Sequence, residues 1–362
     1  MDNNEFNSGD DLFTVIEDIL PPDEETNKKN ESAVKNIYSN THLGLFIFSI
    51  VMYGISFICA IAVGLFVPKE IIDDPTLYSY INMGINILAQ YLIAFPVFLL
   101  VTKGIRKCNP REKTKLSIGE FAAMFLISYG LMYAGNIIGQ FVGSVAEMIS
   151  GIAPDNSLEN ALDGTPLWLI AIVVVIFAPI VEELMFRKIM IDRLSVVGEK
   201  TAIIFSALAF AIFHANIYQF FYAAFIGLVF GYVYVKTRDV RYTIVIHMLI
   251  NFLGSVVALP VSEQVLKFYE QYEIILTGGE ADMAVLVPSL IVTVVYMLFN
   301  SGLSLAGLII LVVYLVDKKI RLESTPEIKL MPSRTLPVCA GNVGFILFVA
   351  TEAIMMIMTF FG

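Results

Sequence analysis

Charge, histidine and cysteine are scarce in this chain. Only 15% of its 362 residues are Asp, Glu, Lys or Arg, whereas 57% are hydrophobic and mean hydropathy is +0.76. A soluble domain of this size does not need so much apolar sequence, so the composition is that of a polytopic membrane protein. The three cysteines, Cys59, Cys108 and Cys339, lie far apart, which excludes a disulfide framework and a cysteine metal motif. There are also only three histidines, His42, His214 and His247. Lys and Arg number 23 against 33 Asp and Glu, a net charge of −10, so no basic field for nucleic acid exists. Ten of the acids and three of the bases sit in residues 1–42.

What the chain has instead is long apolar runs. Nine candidate spans are visible: 43–67, 82–102, 121–143, 165–190, 202–216, 218–235, 242–259, 284–316 and 337–361. Most reach the roughly 20 residues that a bilayer crossing needs. The run at 202–216 is short and that at 284–316 is long. The expected fold is an all-α transmembrane bundle of eight to nine spans. It divides into a polar, disordered acidic tail over 1–42, two spans and a basic loop over 43–117, a core over 118–260, and an external loop with C-terminal spans over 261–362. The first apolar run begins too late and runs too long for a cleavable signal peptide.

Orientation follows from the basic residues. With the N-terminus cytoplasmic, every Lys and Arg except Lys69 and Lys267 falls on the inner side. The loop at 103–117 is strongly basic and sets topology. The stretches 144–166 and 260–283 are expected to be external. Within the tail, Leu12, Phe13, Val15, Ile16, Ile19 and Leu20 recur at helical spacing ahead of Pro21 and Pro22, a weakly helical segment. Gly135, Gly139 and Gly143, and likewise Gly227 and Gly231, are spaced for close helix packing.

Against this background the run Glu182-Glu183-Leu184-Met185-Phe186-Arg187 stands out, because it lies inside an apolar span. Ionisable groups at membrane depth are costly unless paired, and their default reading is functional. Glu183 and Arg187 are four apart and can pair on one helix face. Glu182 points about 100° away, free to face another helix. Pro179 is expected to bend the helix one turn earlier. Phe210 and His214, and His247 and Asn251, are also four apart, each pair on one face of its own span. Counted from Arg193, Lys200 and Arg241 as inner-surface markers, Glu182, His214, His247 and Asn251 lie about 16, 21, 9 and 15 Å deep. A carboxylate and an imidazole can together deprotonate water, while a second imidazole and a carboxamide donate to an oxyanion. One Glu and two His, namely Glu182, His214 and His247, are equally the ligand types of a catalytic zinc site. The residues allow both chemistries.

These three motifs, Glu182-Glu183-x-x-x-Arg187, Phe210-x-x-x-His214 and His247-x-x-x-Asn251, resemble those of the CAAX-protease and bacteriocin-processing family, the type II CAAX prenyl endopeptidases or Abi family. The resemblance covers about 165–260. It implies an intramembrane endopeptidase in which Glu182 activates water, His214 shares that water, His247 and Asn251 stabilise the oxyanion, and Glu183 with Arg187 holds the site. It implies a peptide or membrane-protein substrate and a bacterial plasma-membrane location, with no cofactor required in the glutamate reading and zinc in the metalloprotease reading. Nothing in the chain points to a prenylated substrate.

Plainer readings stand beside these. His42 reads as interfacial, Trp168 as an interface anchor, and Phe210 as packing beside His214. A proton-coupled transporter also places acids and histidines in spans, but no second acidic cluster or matching half is visible. A catalytically silent scaffold or immunity protein would keep the motifs and act by binding.

Overall fold

In a computed structural model, described over residues 22–108, 112–152, 154, 162, 164–322 and 326–361, the protein is built from helices, with no strand among the described residues. The amphipathic segment expected at 12–20 lies outside them. The helices are α1 (Glu24–Phe66), α2 (Pro75–Thr102), α3 (Ile118–Ser150), α4 (Leu167–Val197), α5 (Glu199–Phe213), α6 (Ile217–Thr237), α7 (Val240–Leu276), α8 (Met283–Val316), α9 (Pro332–Ala340) and α10 (Val343–Phe361). Seven are long and apolar enough to cross a membrane, and α9 with α10, bent by 54°, makes an eighth.

The expected ninth span at 202–216 is the one that differs. It is α5, whose 15 residues rise only about 22 Å. The chain reverses over His214–Asn216, with Ala215 at φ 45°, and the Asn216 side chain caps α6 by accepting from the Tyr218 N–H at 2.8 Å. α5 and α6 therefore form a tight pair that carries His214 at its turn. Gly227 and Gly231 lie against Ala207 and Ile203 of α5, and Gly135 and Gly139 against Tyr222 and Tyr218 of α6. The small-residue stripes do the packing expected of them.

Residues 24–42 are not a disordered tail. Asp23 caps α1 by accepting from Thr26, and the helix runs unbroken for 43 residues. Val34, Ile37 and Tyr38, at helical spacing, are buried. The Tyr38 hydroxyl donates to the Leu194 carbonyl at 2.8 Å, and the Arg334 guanidinium meets Glu31 at 2.8 Å. Of the acids in the described part, Glu24 and Glu25 are exposed on this helix. His42, expected at an interface, is fully buried, with Phe345 and Phe205 edge-on at 5.0 and 6.1 Å. The stretch 260–283, expected as an external loop, is helical as far as Leu276, because α7 continues beyond its apolar part. The long run at 284–316 is one continuous helix, α8, which contains Pro288.

Four segments have the wider π-type turn: Ile87–Ala94, Ala171–Phe177, Glu183–Ile191 and Phe252–Val257. Such turns are uncommon and concentrate at functional positions. Three of them flank the motif residues of α4 and α7, and the fourth lies in α2 beside α4. Pro179, which lacks an N–H, follows directly on the first widened stretch of α4.

Candidate active site

The apolar core around Met185, Phe186, Phe210 and Phe230 encloses the charged motif. Glu183 and Arg187 of α4 pair at 3.1 Å with both side chains sealed from solvent. The Arg187 guanidinium lies 4.3 Å from the Phe210 ring centre and 5.2 Å from that of Phe230. Two aromatic faces thus hold a cation that has no water. Phe210 is more than inert packing, because the same ring meets His214 edge-on at 4.8 Å and His247 at 5.9 Å.

His247 of α7 joins the two acids. Its Nδ1 sits 3.0 Å from Glu183 Oε1, and its Nε2 lies 3.7 Å from Glu182 Oε2. Since a carboxylate only accepts, the short contact assigns the hydrogen to Nδ1. The 3.7 Å contact is too long for a direct hydrogen bond. Burial separates the adjacent acids. Glu183 is fully sealed, whereas the Glu182 side chain keeps 15% of its surface open. One carboxylate is locked by Arg187 and His247, and the other is free to meet a reactant.

His214 has a fixed tautomer for the same reason. Its Nδ1 is 2.7 Å from the Phe210 carbonyl, so Nδ1 carries the hydrogen and Nε2 is left as an acceptor in a partly open ring. Asn251 donates from Nδ2 to the Val174 carbonyl of α4 at 2.9 Å. That bond ties α7 to the widened turn ahead of Glu182 and uses one of the two carboxamide hydrogens. Ser206 of α5 donates to the Phe186 carbonyl at 2.8 Å, holding α5 to the motif helix.

The site residues are therefore brought together from α4, α5 and α7 around Phe210. Sequence reading missed Tyr91 of α2, which stacks on Phe177 at 6.2 Å and lies within electrostatic reach of Glu182, as does Tyr222 of α6. A tyrosine in an apolar helix carries no motif, so only the fold identifies it. Arg193, used above as a surface marker, is buried and donates to the Thr102 and Ile189 carbonyls at 2.6 and 2.8 Å. Depths counted from it are displaced accordingly. Below the site Asp192 accepts from the Tyr234 hydroxyl at 2.6 Å and from Lys188 at 2.8 Å, and Arg238 meets Glu199 at 3.3 Å. These contacts close the end of the α4–α6 group.

The zinc reading requires Glu182, His214 and His247 to converge as ligands. Among the described residues no three His, Cys, Asp or Glu side chains form such a group. Each imidazole gives its Nδ1 to the protein, His247 to Glu183 and His214 to the Phe210 carbonyl, and keeps Nε2 for a reactant.

Residues 164–253, which contain all three motifs, match the family described as type II CAAX prenyl endopeptidase Rce1-like. A curated protein of Bacillus subtilis (strain 168), named "Putative membrane peptidase YdiL", is 26% identical over 208 residues, covering 54% of this chain and 80% of that protein. No solved structure matches the chain. With seven or eight membrane-length helices the chain is an integral membrane protein, and its motif segment at 164–253 is similar to the type II CAAX prenyl endopeptidases.

Proposed function

We propose that the protein is an intramembrane endopeptidase in which Glu182 activates a water molecule for attack on a peptide carbonyl. The observation that carries this is the division of labour between adjacent acids: Glu183 is neutralised and sealed, whereas Glu182 is partly open and faces an imidazole. Glu182 takes a proton from water, and the acceptor Nε2 of His214 holds the same water. The attack leaves a tetrahedral oxyanion. The remaining Asn251 Nδ2 hydrogen and the Nε2 edge of His247 are its donors. Donation from that edge requires the doubly protonated ring, with the Glu183 carboxylate at its other nitrogen. Glu182 then returns the proton to the departing amine, and the peptide C–N bond breaks. Glu183 and Arg187 position His247 and do no chemistry. The substrate is a polypeptide at the membrane.

A cofactor-free glutamate mechanism accounts for the residue arrangement better than a metal does, and activity is expected to survive a strong chelator. Loss on chelation and recovery with zinc would overturn it. The transporter and scaffold readings have no observation that favours them. The decisive test compares protein N- and C-termini in cells expressing wild type and Glu182→Gln at matched levels. New termini present only with wild type support the peptidase. Their absence, with both proteins folded in the membrane, refutes it.

A further inference from the structure

α2 carries a row of carboxamides that the site described above does not use. Asn82, Asn86 and Gln90 are successive fourth residues on one helix face. Asn86 lies about 16 Å along a helix of about 42 Å, close to its middle, where hydrocarbon is the default surrounding. Yet Asn82 and Asn86 are exposed, with no hydrogen-bond partner among the described residues. The carboxamides of Asn300 and Gln219, by contrast, bond within the protein. An amide left open to hydrocarbon costs free energy, and where such amides line a cavity an occupant that bonds them recovers it.

The row borders a cleft. Asn82 and Asn86, with Tyr78 of α2 and Ser56 of α1, line a cavity of about 280 Å³ between the two helices. One turn deeper Gln90 reaches Met52 of α1 at 3.5 Å, which closes the cleft floor. Its neighbour Tyr91 stacks on Phe177 of α4, five residues before Glu182. The polar row thus ends beside the helix that carries the proposed base, and Gln90 and Glu182 each lie fifteen residues from the starts of α2 and α4, which run the same way with their starts adjacent at Pro75 and Gly164. Counted at 1.5 Å per residue they share a depth of about 22 Å.

We propose that the α1–α2 cleft receives an extended segment of the polypeptide substrate and leads it to Glu182. This rests on the peptidase reading. A peptide cut inside a membrane must be unwound, so its backbone N–H and C=O groups lose their helical partners. A carboxamide offers both a donor and an acceptor, which is what an unpaired peptide group needs. A row at intervals of about 6 Å places one such group roughly every second residue of an extended chain. Asn82 and Asn86 bind backbone, so they select for extended conformation and leave side-chain preference to the site itself.

The test introduces the photo-crosslinking residue benzoylphenylalanine at Asn82 or Asn86 in the Glu182→Gln protein, in cells. Asn136 and Gln140, exposed carboxamides on α3 that do not border the cleft, are the controls. Crosslinks from 82 and 86, and not from the controls, should fall on the same proteins whose new termini require wild-type Glu182. Crosslinks confined to phospholipid, to a second copy of this chain or to proteins that are not cleaved would overturn the proposal, as would none at all. In parallel, Asn82→Leu with Asn86→Leu should raise KM about tenfold or more with kcat retained, the loss of one or two hydrogen bonds. An unchanged KM counts against it. If wild type produces no new termini, it is the peptidase reading that fails.

Discussion

Two of the glutamates buried in this bundle are handled differently. In the site around Phe210, Glu183 has a guanidinium and an imidazole as partners, and Glu182 beside it remains partly open. In the seam between α1 and α10, Glu352 is fully buried, with the Ser49 hydroxyl on one carboxylate oxygen and the Tyr53 hydroxyl on the other at 2.6 Å. The seam is built in layers seven residues apart: Phe345 meets His42, then Glu352 meets Ser49. Glu352 has a hydroxyl on each oxygen, and Glu183 has a guanidinium and an imidazole beside it, so burial alone does not mark a reactive acid. What distinguishes Glu182 is an unfilled contact facing a base.

The largest effect should come from that unfilled contact. Glu182→Gln keeps the size and burial of the side chain and removes the proton acceptor, so product formation should fall by about 10²–10⁴-fold with little change in thermal stability. A variant that retains more than a tenth of the activity would move the general-base role to His214.

Next is the locked acid. Arg187→Ala leaves Glu183 sealed in the core without its cation, held by His247 alone, and should cost about 3–5 kcal/mol of stability. The readout is the fraction of protein surviving a heating step in detergent. Glu183→Gln should lose less, because Gln can still accept from His247. If Arg187→Ala melts with wild type and only loses activity, the pair belongs to the chemistry rather than the scaffold.

A smaller effect is expected along the seam itself. A β-carbon on Gly344 would strike the Ser39 carbonyl of α1, which is backbone and cannot give way. Gly344→Ala should separate α10 from α1 at a cost of about 1–3 kcal/mol. Thr359 of α10 donates to the Ala215 carbonyl at 3.4 Å, one residue from His214. The variant therefore also tests whether the seam steadies the catalytic turn. Equal stability would mean that α10 tolerates a shift along α1.

How much of this was legible beforehand follows from what each residue type signals. The charged run, the two histidines and the i,i+4 pairings stood out because polar groups in apolar spans are rare, and their depths allowed them to meet. The division between Glu182 and Glu183 was half visible: the Arg187 pair could be read from spacing, but the His247 bridge depends on how α7 crosses α4. Val34, Ile37 and Tyr38 did carry a helical signal, yet the surrounding acids dominated a compositional reading of 1–42. The shortness of α5 was visible too, whereas its reversal at Ala215 was not, because a left-handed alanine has no sequence mark. Glu352 went unread as a second buried acid because its partners, a serine and a tyrosine on a helix three hundred residues earlier, form no local motif.

The smallest effect sharpens the comparison most. Hydroxyls both donate and accept, so in Glu352→Gln one of Ser49 and Tyr53 can reverse to accept from the new amide. That substitution should cost about 1 kcal/mol or less, whereas Glu352→Leu strands both hydroxyls and should cost about 1–3 kcal/mol. Neither should change turnover per folded molecule, measured as product formed against protein surviving in the membrane fraction. The contrast with Arg187→Ala is then one of partner type: a buried acid held by hydroxyls tolerates loss of its charge, and one held by a guanidinium does not tolerate loss of its partner. Should Glu352→Gln instead abolish turnover while the protein stays folded, the seam carboxylate takes part in the reaction cycle, and the separation between the two buried acids fails.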